Sequence, residues 1–115
     1  MPSMSFTDKL AALNIVLPAV ATPAAAYVMH AQTGNTVFLS GHIAKKDGKP
    51  WVGQFGRDIG TEEGKLAARA VAIDLIATLQ AACGGDLSRV RRIVKLMSLV
   101  NSTQAEIAAI ERALH

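Results

Sequence analysis

The feature that most constrains this chain is a long apolar stripe between Thr61 and the glycine pair at residues 84–85. Thr61 is a good helix N-cap, two acidic residues follow it, and paired glycines favour a helix end. The spacing predicts one helix, with Asp74 and Thr78 to the side of its apolar face. Such a face must be covered, so we expect a sheet against it. The stripe recurs at steps of three and four: Ala68, Val71, Ala72, Leu75, Ile76, Leu79, Ala82 and Cys83.

Short segments before this helix predict the sheet. Residues 26–32 and 36–40 are predicted strands joined by a Gly-Asn turn, which tolerates positive φ. A polar turn over residues 45–50 leads into a third predicted strand over residues 51–55. Consecutive strands linked by short turns form an antiparallel meander.

The remaining elements lie towards the two ends of the chain. Residues 93–100 are largely apolar and predict a strand of the sheet interior. Thr103 and Glu106 have the spacing of a capping box and predict the start of a last helix. Near the N-terminus, Thr7 is predicted to cap a short helix that runs through Ala12.

The predicted order is a short helix followed by β-β-β-α-β-α in a single domain over residues 1–115. This order predicts an α+β fold, a mixed sheet with helices packed on one face. Half of the 115 residues are hydrophobic and 18% are charged, which excludes an intrinsically disordered chain. A domain this small buries only about two-thirds of its unfolded surface. We therefore expect leftover apolar surface and self-association.

Cysteine usage and the apolar N-terminal segment bear on where the protein works. Cys83 is the single cysteine, which excludes an internal disulfide framework and a Cys-based zinc site, and we expect a buried, inert thiol. The apolar stretch over residues 10–26 is interrupted by Asn14 and Pro18, so we predict neither a signal peptide nor a membrane span. These features predict a soluble, cytoplasmic protein with no membrane partner.

Candidate functional residues gather at the end of the second predicted strand. Ser40, Gly41 and His42 would present a hydroxyl and a backbone amide at a sheet edge, which suits a carboxylate or carbonyl ligand. The same residues also fit an ordinary turn. Tyr27 lies on the neighbouring predicted strand, where it fits either this edge or core packing with its hydroxyl at the rim.

Metal and nucleic-acid sites are not expected. His30, His42 and His115 have no metal-ligand spacing with one another or with the cysteine. Few aromatic residues and a formal charge of +3 favour a solvated loop over a nucleic-acid surface for the basic cluster. The cluster consists of Arg89, Arg91, Arg92 and Lys95.

The order and spacing of several motifs resemble the Rid family, also called the YjgF/YER057c/UK114 family and, historically, endoribonuclease L-PSP. The resemblance runs from about Phe6 to Ser102. Its segments are Tyr27, Thr33-Gly34-Asn35, Val37-Phe38-Leu39-Ser40-Gly41-His42, Gly56-Arg57-Asp58, Thr61-Glu62-Glu63-Gly64, Ala67-Ala68-Arg69, Leu87-Ser88-Arg89-Val90, Val94-Lys95-Leu96 and Val100-Asn101-Ser102.

The resemblance implies a chorismate-mutase-like α+β fold assembled as a homotrimer, with clefts between subunits. In the family these clefts hydrolyse reactive enamines and imines of the 2-aminoacrylate type to 2-keto acids and ammonia, without a cofactor. By motif match, Tyr27 and Ser40 would be the catalytic residues. Gly41 and His42 would bind substrate, with His42 standing where the family often carries glutamine.

The sequence departs from the family pattern after Ser102. Family members continue through a longer helix and two further strands, which bring an arginine that clamps the substrate carboxylate and a glutamate that positions water or a proton. Arg112 is not in that arginine's context, so we expect a truncated or divergent C-terminal part. The departure leaves open a non-catalytic trimeric module that binds small carboxylates and, less favoured, a ribonuclease or translation inhibitor.

Overall fold

The computed structural model describes residues 5–20 and 27–114 and combines helices with short hairpins. The first residue of the first predicted strand, Ala26, lies outside the described residues. None of the described helices has the length and apolar character that crossing a membrane requires. The elements are α1 (Phe6–Ala12), β1 (His30–Thr33), β2 (Thr36–Leu39), β3 (Lys45–Lys46), β4 (Lys49–Pro50), α2 (Thr61–Ala82), a 3₁₀ turn (Leu87–Arg89) and α3 (Gln104–Leu114).

Strands β1 and β2 form the predicted antiparallel hairpin, closed by a two-residue turn. Strand β1 begins only at His30, so Tyr27 lies before the strand and not on it as predicted. The register pairs His30 with Leu39. Gly34 takes the first turn position with φ of +56°, where a side chain would be strained. Pairing continues one step beyond the strands, because the N–H of Ser40 donates to the carbonyl of Met29 at 2.9 Å. The hairpin therefore fixes the backbone at the end of β2.

Strands β3 and β4 form a second hairpin where the sequence predicted only a polar turn. Asp47 and Gly48 have φ of 53° and 77°, the two positive values that a type I′ turn requires. The residues on either side of this turn pair with each other. The third predicted strand, over residues 51–55, is not formed. Within that stretch only Phe55 makes β-bridges, and they are isolated. The described strands thus form two separate two-stranded sheets rather than one meander.

Helix α2 ends at the glycine pair, as predicted, and its first residue is Thr61. The carbonyl of Gly60 accepts the first helical hydrogen bond, from the N–H of Gly64 at 3.0 Å, so Gly60 and not the predicted Thr61 is the N-cap. Gly84 and Gly85 have φ of +66° and +91°. The N–H of Gly84 donates to the carbonyl of Ala81 at 3.1 Å, and that of Gly85 donates to Gln80 at 2.8 Å. These two bonds form a Schellman motif, which satisfies carbonyls at the helix end.

The buried face of α2 differs from the prediction at Thr78. Thr78 is 0% exposed and Ala77 beside it is 4% exposed, whereas Ala68 and Ala72 of the predicted stripe are exposed. Thr78 lies three residues after Leu75 and so shares its helical face. Placing Thr78 to the side of the apolar face was wrong, because the hydroxyl finds a hydrogen-bond partner inside the fold.

Residues 93–100, predicted as an interior strand, have no regular secondary structure. Their apolar side chains are exposed, and Leu99 is 88% exposed. A strand needs a neighbour to complete its backbone hydrogen bonds, and no described residue pairs with this segment. The predicted strand is therefore absent, although the apolar surface expected from composition is present.

Helix α1 begins two residues earlier than predicted, and Ser5 rather than Thr7 is its cap. Ser5 Oγ accepts from the N–H of Asp8 at 3.1 Å, and Asp8 Oδ2 accepts from the N–H of Ser5 at 3.4 Å. This reciprocal capping box selects Ser5, because Asp8 stands three residues after it. Helix α3 follows Thr103 as predicted, and the side chain of Glu106 lies outside the described part.

The described residues form two compact units. In the first, side chains from the C-terminal half of α2 and from the 3₁₀ turn are buried. They include Cys83, whose burial was predicted. In the second, the ring of Phe55 lies against Gly64. That the whole sequence is one domain stays a prediction. The units take in the described parts of Met1–His42 with Val71–Val94, and of Ile43–Ala70 with Lys95–His115.

Candidate functional site

Ser40 lies directly after β2 and is held by two hydrogen bonds to the chain before β1. Its N–H donates to the carbonyl of Met29 at 2.9 Å, and its Oγ donates to the carbonyl of Val28. A hydroxyl has one proton to donate, and the Ser40 hydroxyl donates it to the Val28 carbonyl. The Ser40 oxygen keeps its lone pairs as hydrogen-bond acceptors.

His42 is half-buried, and hydrogen bonds hold both of its ring nitrogens. Nδ1 lies 2.7 Å from the carbonyl oxygen of Ser40, and Nε2 lies 2.7 Å from Oγ1 of Thr78. A carbonyl oxygen can only accept, so Nδ1 carries the proton. In the neutral ring Nε2 then accepts from the Thr78 hydroxyl. A ligand that reached either nitrogen would have to displace one of these bonds.

Gly41 presents its backbone to open space. A Cβ built on Gly41 would meet no atom within 4 Å. No described residue accepts a hydrogen bond from its N–H. Between the bonded backbone of Ser40 and the bonded ring of His42, Gly41 therefore offers a donor to a small ligand.

Tyr27 immediately precedes Val28, whose carbonyl accepts the Ser40 hydroxyl. Its side chain is 42% exposed, and within the described chain its phenol makes no hydrogen bond. The structure thus places Tyr27 next to the segment that holds Ser40, without a hydrogen bond between the two side chains. Its catalytic role stays a prediction, as do the roles of Ser40, Gly41 and His42.

Thr78 belongs to this site, and the sequence interpretation missed it. A signal was available: its helical spacing from Leu75 places it on the buried face, where a hydroxyl must find a partner. Spacing within a helix could not reveal that the partner is His42, which lies 36 residues earlier.

The second unit carries a shallow depression of about 300 Å³ lined by residues 55–61. There Arg57 Nη2 lies 2.9 Å from Asp58 Oδ2. This hydrogen bond lowers the pKa of Asp58 and raises that of Arg57. Both side chains are well exposed, so water screens the pair and it adds little stability. The Arg57 charge is matched locally by the carboxylate.

The predicted basic cluster is partly used by the fold. Arg89 Nη1 donates to the carbonyl of Cys83 at 3.2 Å, which places a cation at the C-terminal end of α2. Arg91 and Arg92 are exposed. Within the described chain no three His, Cys, Asp or Glu side chains lie close enough to hold a metal ion. His115 lies outside the described residues.

The chain is similar to known proteins along almost its whole length. A family model described as "YjgF/chorismate_mutase-like, putative endoribonuclease" matches residues 7–114. The Trypanosoma cruzi protein TCP17 is 45% identical over 92 residues, which cover 79% of this chain and 57% of TCP17. The chain therefore matches little more than half the length of that curated relative.

Two solved structures share the fold. A crystal structure described as a "putative endoribonuclease" from Shewanella oneidensis MR-1 matches with a TM-score of 0.82 and 32% identity, over 91% of this chain and 70% of that one. A protein of unknown function from Agrobacterium tumefaciens matches with a TM-score of 0.64 and 34% identity, over 75% of this chain and 52% of that one. These matches confirm the predicted chorismate-mutase-like α+β fold.

Proposed function

Since this chain belongs to the YjgF/chorismate-mutase-like family, we propose that it acts as a Rid-like enamine/imine deaminase. Its substrates are reactive 2-aminoacrylate-type enamines and the 2-imino acids they form, and its products are 2-keto acids and ammonia. It works without a cofactor, as a homotrimer whose clefts between copies hold the substrate.

The observation that carries the proposal is the unused hydrogen-bonding capacity at the end of β2. Gly41 is exposed, and no described residue accepts a hydrogen bond from its N–H. The Ser40 oxygen keeps free lone pairs, because its proton goes to Val28. Tyr27 is 42% exposed and directly precedes Val28, which accepts the Ser40 hydroxyl. A 2-imino acid is small and carries a carboxylate that accepts and a protonated nitrogen that donates, which matches this set of groups.

Each group has a defined part in the hydrolysis. The Gly41 N–H donates to the substrate carboxylate, and the Ser40 oxygen accepts an N–H of the protonated imine. Water adds to C2 while the Tyr27 phenol passes a proton from the water to the nitrogen. The C–N bond of the carbinolamine then breaks while the hydroxyl proton passes to the departing ammonia, so that ammonium and the 2-keto acid leave.

The test is ammonia release from 2-aminoacrylate generated in place by a pyridoxal-phosphate enzyme. The purified protein should raise the rate above that in buffer. Ser40→Ala should lower the rate roughly tenfold, because it removes the group that holds the imine nitrogen. Tyr27→Phe should lower it by about 10²-fold, because it removes the proton carrier.

The matched control is Thr7→Ala, which removes an exposed hydroxyl of α1 that takes no part in the hydrogen bonds of the site. Its rate should equal that of the unmodified protein. A folded protein that gives no rate above buffer contradicts the deaminase proposal. Cleavage of an RNA substrate in a parallel reaction would instead favour the endoribonuclease described for the family.

A second candidate is a module that binds small carboxylates without turning them over. The favouring observation is that the Ser40 proton and both nitrogens of His42 are already committed within the chain. Such a site offers a donor at Gly41, and of its side chains only Tyr27 is left to transfer a proton. A rise in melting temperature with pyruvate, without ammonia release in the deaminase assay, would identify this function.

A further inference from the structure

We propose that Thr78 is a positioning residue for the ligand site, acting through His42 on the peptide group that joins Ser40 to Gly41. The inference rests on the proposed function, because it assigns the Gly41 N–H to the substrate carboxylate. It starts from the burial of Thr78, which is 0% exposed and hydrogen-bonded to Nε2 of His42 at 2.7 Å.

The direction of each hydrogen bond follows from what each group can do. The Ser40 carbonyl accepts, so Nδ1 of His42 donates to it across 2.7 Å. The neutral ring then has a lone pair at Nε2, and the Thr78 hydroxyl donates to it. The ring is held at both nitrogens and cannot rotate or exchange tautomers without breaking a bond.

The carbonyl that His42 holds lies in the same planar peptide group as the Gly41 N–H. Because this group is rigid, fixing the Ser40 oxygen also fixes the direction of the Gly41 N–H, which points the opposite way. The bond donated by His42 also polarises the peptide and makes the Gly41 N–H a stronger donor. Thr78 therefore controls both the aim and the strength of the donor offered to a carboxylate.

A helical threonine has an alternative use for its hydroxyl. Threonine in a helix often donates to the carbonyl four residues earlier, here that of Asp74. In the described chain that bond is not made, and the hydroxyl bonds to His42 instead. A merely space-filling residue at this buried position would need no hydroxyl, so the hydroxyl is the part to test.

The matched variants are Thr78→Val, which keeps the shape and removes the hydroxyl, and Thr78→Ser, which keeps the hydroxyl. Without any ligand, the backbone amide resonance of Gly41 should move in Thr78→Val and return in Thr78→Ser. With pyruvate as the probe, the dissociation constant should rise about fivefold in Thr78→Val and recover in Thr78→Ser, the effect of weakening one hydrogen bond.

A third measurement needs no variant. In a proton–nitrogen correlation spectrum of the unmodified protein, His42 should show the neutral tautomer with the proton on Nδ1. The opposite tautomer, or a Gly41 resonance unmoved in Thr78→Val, overturns the proposal. If Thr78→Val does not fold, two other measurements test the proposal: the His42 tautomer in the unmodified protein and the Gly41 amide resonance in His42→Gln, which should also move.

Failure of the proposed function gives a different result. A protein that neither releases ammonia nor binds pyruvate contradicts the proposed function. The His42 tautomer and the Gly41 amide resonance still decide the positioning role, because neither measurement uses substrate.

Discussion

A single glycine in the first turn of α2 illustrates how close packing selects a residue. Glycine is less favourable than alanine in a helix by about 1 kcal/mol. Gly64 is nevertheless buried there, and the ring of Phe55 occupies the space that a Cβ would take. The approach of the ring to the helix backbone, rather than helix propensity, accounts for the glycine.

We expect Gly64→Ala to lower the free energy of unfolding by about 1–3 kcal/mol, because the added methyl group displaces the Phe55 ring and this cost exceeds the gain in helix propensity. Urea denaturation measures the change. Gly60→Ala is the control, since a Cβ there would meet no atom within 4 Å and φ is not positive. It changes only the N-cap residue and should cost less than Gly64→Ala. A Gly64→Ala protein as stable as the control would contradict this account.

At the scale of the secondary-structure elements, the start of α1 shows how an N-cap residue is selected. The sequence predicted Thr7 as the N-cap residue. The structure uses Ser5, whose side chain and backbone exchange hydrogen bonds with Asp8. A cap is therefore selected together with the residue three positions later.

We expect Ser5→Ala to lower the free energy of unfolding by about 1 kcal/mol, because it leaves the N–H of Asp8 without its acceptor. Thr7→Ala, which removes a hydroxyl from inside the first turn, should change it by less than roughly 0.5 kcal/mol. Thermal or urea denaturation of the two variants side by side measures the difference. A larger loss of stability in Thr7→Ala than in Ser5→Ala would show that Thr7 is the N-cap residue.

What the sequence could predict at this scale was what short-range chemistry determines. The Gly-Asn turn predicted the β1–β2 hairpin, and the glycine pair predicted the end of α2. Residues 93–100 could not be predicted in the same way, because a strand exists only with a partner. Ser40, Gly41 and His42 could be proposed as site residues because they are consecutive in the sequence and form one local motif. The bond to Thr78 could not, because it joins distant parts of the chain.

At the scale of the whole molecule, the exposed apolar residues matter most. The large apolar side chains of residues 93–100 are exposed to solvent in the single chain, and among them Leu99 is 88% exposed. Contiguous apolar surface of this kind typically marks an interface. It supports the homotrimer as a prediction for the protein in solution.

We expect light scattering to give the mass of a trimer for the unmodified protein and a smaller mass for Leu99→Glu, because a carboxylate is costly to bury in an apolar interface. Val16→Glu is the control, since Val16 is 87% exposed but lies outside this segment. Its mass should stay that of the trimer. A monomeric unmodified protein would refute the prediction.

The two-residue turn of the β1–β2 hairpin has a kinetic consequence for the ligand site. Hairpins of this kind close in microseconds, because their contacts are near neighbours along the chain. The backbone of Ser40 can therefore reach its place early in folding. The bond between His42 and Thr78 closes a much longer loop and must wait until α2 docks. If Gly41 binds a carboxylate as proposed, its N–H is held in the binding direction only after this long-range bond has formed, and affinity for the ligand follows the docking of α2 rather than the closing of the hairpin.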